Sequence, residues 1–317
     1  MMVYSFLLVV LSLFGMWFGA ESVVKNVSLL SRRFRVSEFW VSFFVLGFAM
    51  SGPELAIGIN SVLFNLPEVL VGDKIGSSIG IFLLIIPTLA IVGNGVELKQ
   101  GVREVKLLLS FFLILLPAML LVDGDFSKID SLICLIVYIF LSIYFGLTAK
   151  KETVTKSIED ALVVKKSTLT REIFGILLGS AVIYLMGNVM ITNFKIIMDN
   201  FKQSYFAVSL FLMSLSTSMP ELVVVIKSVV KGRKEVTFGG YLGSAVANSM
   251  ILAVLGLFYG DIVIGKDIYF MWLYGLFLLG IILFYWFIKS KQVLSRSEGI
   301  ILIMFYLSLI AVTARFN

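Results

Sequence analysis

The chain has 317 residues, of which 59% are hydrophobic and 15% charged, with a mean hydropathy of +1.03. That balance excludes an ordinary soluble domain, in which about 25% of residues are charged. The absence of histidine removes the commonest general base and transition-metal ligand, the single Cys134 supports no disulfide framework, and the net charge of +6 has a topological rather than a nucleic-acid explanation.

Apolar runs of spanning length recur from end to end, and they are continuous rather than alternating, which favours helices over a barrel. The pattern predicts an all-α polytopic membrane protein with ten spans, near 3–24, 36–62, 70–94, 105–121, 128–149, 172–193, 203–229, 235–259, 264–288 and 298–314. The first run is too long for a signal-peptide core and lacks a basic leader, so it reads as a span. Alternate connections, 25–35, 95–106, 150–171, 227–234 and 289–296, carry 20 basic residues. The opposite side carries five, namely Lys128, Lys195, Lys202, Lys266 and Arg315. By the positive-inside rule both termini lie outside, in a plasma-membrane protein.

The charged stretch 150–171 reads as a cytoplasmic linker between halves 1–149 and 172–317. A shift of 167 residues places Ser37 on Ser204, Ser42 on Ser209, Ser51 on Ser218 and Glu54 on Glu221. It continues without a gap to Gly72 on Gly239, Gly76 on Gly243 and Ser77 on Ser244. Over 34–61 and 201–228, 12 of 28 positions are identical. Matched Ser, Pro, Glu and Gly in one register indicate an internal repeat. Five spans is odd, so the second copy enters from the other side, giving two inverted five-helix repeats, an architecture that puts the substrate site near the midplane.

Within each repeat the chemistry centres on Ser51-Gly52-Pro53-Glu54 and Ser218-Met219-Pro220-Glu221. A carboxylate in hydrocarbon is costly and marks function. Proline lacks an N–H and breaks the helix, which frees the carbonyls of Ala49 and Met50, and of Ser216 and Thr217. Carboxylate, hydroxyl and bare carbonyl oxygens together suit hard cations. Two facing glutamates carry about −2, enough for one divalent or two monovalent cations. Ser77 and Ser244 in the following spans serve equally well as ligands or as small packing residues. Four residues on come Ile81 and Asn248, and a buried amide at Asn248 needs partners. Gly72, Gly76, Gly80, Gly239, Gly240 and Gly243 allow close helix approach. Asp73 and Lys74 read as an interfacial or structural pair at a span start.

At these residues the chain resembles the calcium/cation antiporter superfamily, and most closely the prokaryotic sodium/calcium exchangers. That family carries G-T-S-x-P-E in each of two alpha repeats, then G-N-x-I-G-S in the next span and Asn or Asp four residues after its Ser. The alpha-2 motif, 214–248, contains Ser216-Thr217-Ser218-Met219-Pro220-Glu221, then Gly239-Gly240-Tyr241-Leu242-Gly243-Ser244 and Asn248. The alpha-1 motif, 47–81, contains Ala49-Met50-Ser51-Gly52-Pro53-Glu54, then Gly72-Asp73-Lys74-Ile75-Gly76-Ser77 and Ile81. The resemblance implies that Glu54 and Glu221 bind Ca2+ and competing Na+, and that the carbonyls of Met50 and Thr217 join them on Ca2+. It also implies Na+ ligands at Ser51, Thr217, Ser218, Ser77 and Ser244, with Asn248 at the family's amide position. Met50, Asp73, Lys74 and Ile81 depart from the family pattern, all in the first repeat.

The expected function is a secondary antiporter exchanging Ca2+ against Na+ by alternating access through the glutamate pair, with no cofactor beyond the transported ions. The expected partners are cations and lipid, not nucleic acid, and the expected state is a monomer. Rival readings are a Ca2+/H+ antiporter and a non-transporting membrane paralogue with a degenerate site. An enzyme is disfavoured, since neither histidine nor a soluble domain is available for catalysis.

Overall fold

The computed structural model describes residues 2–34, 51–97, 104–148, 168–201, 205–218, 221–222, 234–264, 268–291 and 293–316. Ten helices run through them: α1 (Met2–Phe34), α2 (Gly52–Leu63), α3 (Pro67–Val92), α4 (Glu104–Leu120), α5 (Lys128–Thr148), α6 (Leu169–Phe201), α7 (Tyr205–Thr217), α8 (Lys234–Tyr259), α9 (Ile268–Lys291) and α10 (Arg296–Phe316). Most boundaries fall within a few residues of the expected spans. Two elements are longer. The helix α1 continues through most of the expected loop 25–35, and α6 continues past 193 to Phe201. By length and apolar composition, three described stretches suffice to cross a membrane: Pro67–Val92, Leu169–Asp199 and Tyr241–Tyr259. Val3–Gly19, Leu107–Asp123, Tyr205–Thr217 and Gly275–Lys289 are shorter apolar helices. Most of the expected linker, 150–167, lies outside the described residues.

The helix α3 is central. Of its apolar window, 78% is buried, against 22% for α6. Its Phe82 meets Phe111 of α4 and Phe284 of α9 edge-to-face, each at 5.2 Å between ring centroids. Such aromatic contacts add directional packing to area burial, fixing three helices around one point. A π-helical turn at Ile81–Ile85 interrupts α3 just before Pro87, which has no N–H to give to the helix ladder.

The helices α1 and α6 lie antiparallel along one another, with Gly15 against Met186, Gly19 against Ile183, and the Ser22 hydroxyl donating to the Gly175 carbonyl at 3.1 Å. Their other face carries Phe6, Phe14, Phe18, Phe174, Leu177 and Leu185, all exposed. A continuous exposed apolar face is what a helix pair bordering lipid requires.

Two short antiparallel ladders tie the halves together. The strand β1 (Val96–Glu97) pairs with β4 (Val293–Leu294), and β2 (Asp125–Phe126) pairs with β3 (Ile262–Val263). The 167-residue shift carries β1 onto β3 and β2 onto β4 within one residue, so it exchanges the two ladders. The starts of α5 and α10 correspond in the same way. Ser127 N donates to Asp130 Oδ2 and Ser295 N donates to Glu298 Oε2, each at 2.8 Å. In return, the N–H groups of Asp130 and Glu298 donate to the serine hydroxyls. These are two capping boxes one residue off that register.

Candidate cation site

The motif Ser51-Gly52-Pro53-Glu54 opens α2. Ser51 occupies the N-cap at φ −80°, ψ 13°, with Pro53 in the first turn and Glu54 three residues in. The spacing is that of a capping box, yet no side chain makes the cap hydrogen bond. The Ser51 hydroxyl turns instead to Ser244 of α8, 2.9 Å from its hydroxyl. Both carboxylate oxygens of Glu54 are buried without a hydrogen-bond partner among the described residues. The second copy breaks at the same place. Ser218 ends α7 at φ −84°, ψ 0°, and Glu221 follows in a helical turn. A helix end thus lies at each motif serine, the start of α2 at Ser51 and the end of α7 at Ser218.

Ser51, Glu54, Ser77, Ser244 and Asn248 are fully buried, and Thr217, Ser218 and Glu221 are 1% exposed. Ser244 Oγ donates to Glu221 Oε1 at 2.8 Å, while Glu221 Oε2 is unpartnered. The Ser218 hydroxyl is buried without a hydrogen-bond partner among the described residues. Ser77 Oγ lies 3.5 Å from Thr217 Oγ1. Glu54 and Glu221 interact electrostatically with one another. The structure therefore gathers every described candidate in one buried region, with hydroxyls of one half meeting those of the other. Met50 lies outside the described residues, as do Met219 and Pro220.

The halves differ four residues beyond the second serine. Asn248 is buried with both amide atoms unpartnered among the described residues. Ile81 is fully buried within the main apolar core and begins the π-helical turn.

Asp73 and Lys74 belong to this region, not to an interface. They are 0% and 1% exposed, because α3 begins at Pro67 and carries them two turns into the helix. Lys74 Nζ donates to the Asp73 carboxylate and to the Glu54 carbonyl oxygen, the latter at 2.5 Å. Asp73 Oδ1 accepts from Thr217 Oγ1 at 3.2 Å. The pair forms as expected, but beside Glu54 within the candidate site. The same shift that aligned the motifs puts Lys74 opposite Tyr241. That residue repeats the contact, since Tyr241 OH donates to the Glu221 carbonyl oxygen at 2.8 Å.

Gly72 and Gly76 bring α3 against α7. A Cβ at Gly76 would stand 1.8 Å from the Leu210 carbonyl oxygen, and one at Gly72 would stand 2.0 Å from Ser209 Oγ. Ser209 and Leu210 lie in a π-helical turn, Ser209–Met213, where Ser214 Oγ donates to the Leu210 carbonyl oxygen. Gly80 has nothing within 4 Å of such a Cβ, so the close approach ends before it.

Among the described residues, no group of three or more Asp, Glu, Cys or His converges as a metal cluster. The donor set is a carboxylate pair with hydroxyl and amide oxygens, a chemistry that suits hard cations.

The family model described as "Sodium/calcium exchanger protein" matches this sequence twice, over residues 4–147 and 171–314. Both ends of the second match lie 167 residues after those of the first. Among curated relatives, the chain is 23% identical over 319 residues to "Putative antiporter CaxA" of Alkalimonas amylolytica, covering 96% of this chain and 97% of that protein. It is 24% identical over 353 residues to "Sodium/calcium exchanger MaX1" of Methanosarcina acetivorans, covering 98% and 99%. A solved structure of the sodium-calcium exchanger NCX_Mj, soaked with Na+ and Sr2+, superposes with a TM-score of 0.68 at 21% identity, covering 98% of this chain and 99% of that one.

Proposed function

Since the chain belongs to the sodium/calcium exchanger protein family, we propose that it is a secondary cation antiporter that exchanges Ca2+ against Na+ at Glu54 and Glu221. One observation carries this reading. Three carboxylate oxygens of these two residues are buried without a hydrogen-bond partner among the described residues. An uncompensated buried carboxylate is strongly unfavourable. Two of them close together need cations, and one divalent or two monovalent ions satisfy that need. Ions of either kind require the same oxygens, so loading one excludes the other. An unloaded pair is too costly to carry through the protein interior, which couples the two fluxes.

The ligands in this reading are the Glu54 and Glu221 carboxylates, the carbonyls of Met50 and Thr217 for Ca2+, the hydroxyls of Ser51, Thr217, Ser218, Ser77 and Ser244 for Na+, and the Asn248 amide. The architecture is ten spans in two inverted five-helix repeats, 1–149 and 172–317, in the plasma membrane with both termini outside and a monomer as the working unit. Support comes from the double family match, from the ladders and capping boxes that the repeat shift exchanges, and from the helix ends at both motif serines.

A proton in place of Na+ is the second reading. Ile81 favours it, because an apolar side chain stands where the second half has an amide. The deciding experiment is uptake of radiolabelled Ca2+ into proteoliposomes, driven first by an outward Na+ gradient and then by a proton gradient. Na+-driven uptake is expected. Uptake under the proton gradient alone selects the second reading, and uptake under neither refutes Ca2+ antiport.

A further inference from the structure

We infer that the Lys74 ammonium is a built-in monovalent cation. It fills one cation position of the first half, between the Asp73 carboxylate and the Glu54 carbonyl, and leaves the Glu54 and Glu221 carboxylates, the motif hydroxyls and the Asn248 amide to exchangeable ions. The inference rests on the antiport reading for its consequence in transport, but not for its test.

Lys74 is 1% exposed, deep in a helix packed on all sides. Its Nζ is held by a carboxylate, Asp73, and by a backbone carbonyl, that of Glu54. Those are the donors that would coordinate a Na+ ion at the same point. The stem of the side chain is accommodated by Gly58, one turn past Glu54, where a Cβ would come within 3.3 Å of Lys74 Cε. Asp73 also accepts from Thr217, whose hydroxyl is close to that of Ser77, so the ion pair orients hydroxyls that border the exchangeable positions.

The second half shows what the position needs for structure alone. There, Tyr241 gives the same hydrogen bond to the carbonyl of the motif glutamate, and Gly240 stands where the first half has Asp73. A neutral hydroxyl is enough to satisfy that carbonyl. The first half instead buries a full charge together with a carboxylate to balance it. Burying a charge pair costs more than burying a tyrosine, so the charge calls for a role beyond that of the hydrogen bond. The two halves are complementary. The first holds an ammonium and the apolar Ile81, and the second holds Asn248 with both amide atoms unpartnered. One cation position is thus permanently occupied, and fewer monovalent ions exchange per divalent ion.

The test is equilibrium binding of radiolabelled Na+ to the purified protein in detergent, comparing wild type with K74Q, K74Y and K74R. K74Q and K74Y should each bind one more Na+ per protein than wild type, because Asp73 then needs a mobile counter-ion. K74R keeps the charge and should match wild type. K74Y is the stringent variant, since it copies the neutral donor of the second half and protects the fold if K74Q loses it. An unchanged Na+ count in K74Y overturns the inference and leaves Lys74 a structural donor. A wild type that binds Na+ but exchanges nothing in vesicles refutes the antiport reading, while the binding count still decides the role of Lys74.

Discussion

The Ser51 hydroxyl lies 2.9 Å from the Ser244 hydroxyl, and Ser244 in turn donates to Glu221 Oε1 at 2.8 Å. One polar relay thus runs from the motif of the first half, through the serine of the second, to the second glutamate. It gives Glu221 a donor, whereas Glu54 has none among the described residues.

The relay makes Ser244 the more sensitive position. Ser244→Ala strands a buried carboxylate oxygen and should cost about 1–3 kcal/mol, whereas Ser51→Ala leaves the Ser244 bond to Glu221 in place and should cost about 0.5–1.5 kcal/mol. Thermal unfolding of the single and double variants in detergent measures both. Their effects should fall short of additive, as expected for residues in contact. Strict additivity would disprove the relay.

The glutamate pair separates stability from loading. Glu54→Gln or Glu221→Gln removes a buried charge and should raise the unfolding midpoint of the ion-free protein. Each should also abolish Ca2+ uptake and the stabilisation by Ca2+, which for an intact site reaches about 2.7 kcal/mol at a hundredfold excess over Kd. Full transport in either variant would falsify the assignment of the pair.

Much of this arrangement is legible in the sequence because its causes are local. Continuous apolar runs set the helices, and the prolines beside the glutamates mark the helix ends at Ser51 and Ser218. The repeat register makes Ser51 the counterpart of Ser218 and Ser77 that of Ser244, and the contacts the fold forms are crossed, Ser51 with Ser244 and Ser77 with Thr217. Asp73 and Lys74 read from sequence as an interfacial or structural pair, because a span beginning at 70 places them at its edge. Three residues of helix, from Pro67, move them from a boundary to the interior. The available signal was the register itself, which sets Lys74 opposite a tyrosine in the middle of α8. The roles of the glycines were only partly legible. Spacing predicts a shared face for Gly72, Gly76 and Gly80, but which of them touches a neighbour depends on where α7 widens at Ser209–Met213.

That contact gives a graded test of packing. A methyl group at Gly76 meets backbone at Leu210, which cannot rotate away, so Gly76→Ala should lower stability by about 1–3 kcal/mol and displace α7 from the site. Gly80→Ala meets nothing within 4 Å and adds helix propensity, so it should be neutral or stabilising by up to about 1 kcal/mol. Unfolding midpoints and Ca2+ affinity of both variants check this. Equal tolerance of the two substitutions would contradict the close approach at Gly76.

Asn248 distinguishes a ligand from a packing residue by the signs of two effects. Its amide is buried with both polar atoms unpartnered, which costs about 1–3 kcal/mol in the ion-free state. Evolution toward stability alone would favour a side chain such as the isoleucine at the equivalent position 81. Asn248→Leu should therefore stabilise the ion-free protein and weaken cation binding by about tenfold or more, about 1.4 kcal/mol for each factor of ten. Isothermal titration with Ca2+ and with Na+, set beside unfolding midpoints without ions, reads both quantities. A purely structural amide predicts the opposite pair of signs, with the ion-free protein destabilised and the ion affinity unchanged. The combination of a more stable protein and a poorer site arises only if Asn248 is held in an unfavourable state for the ion it receives.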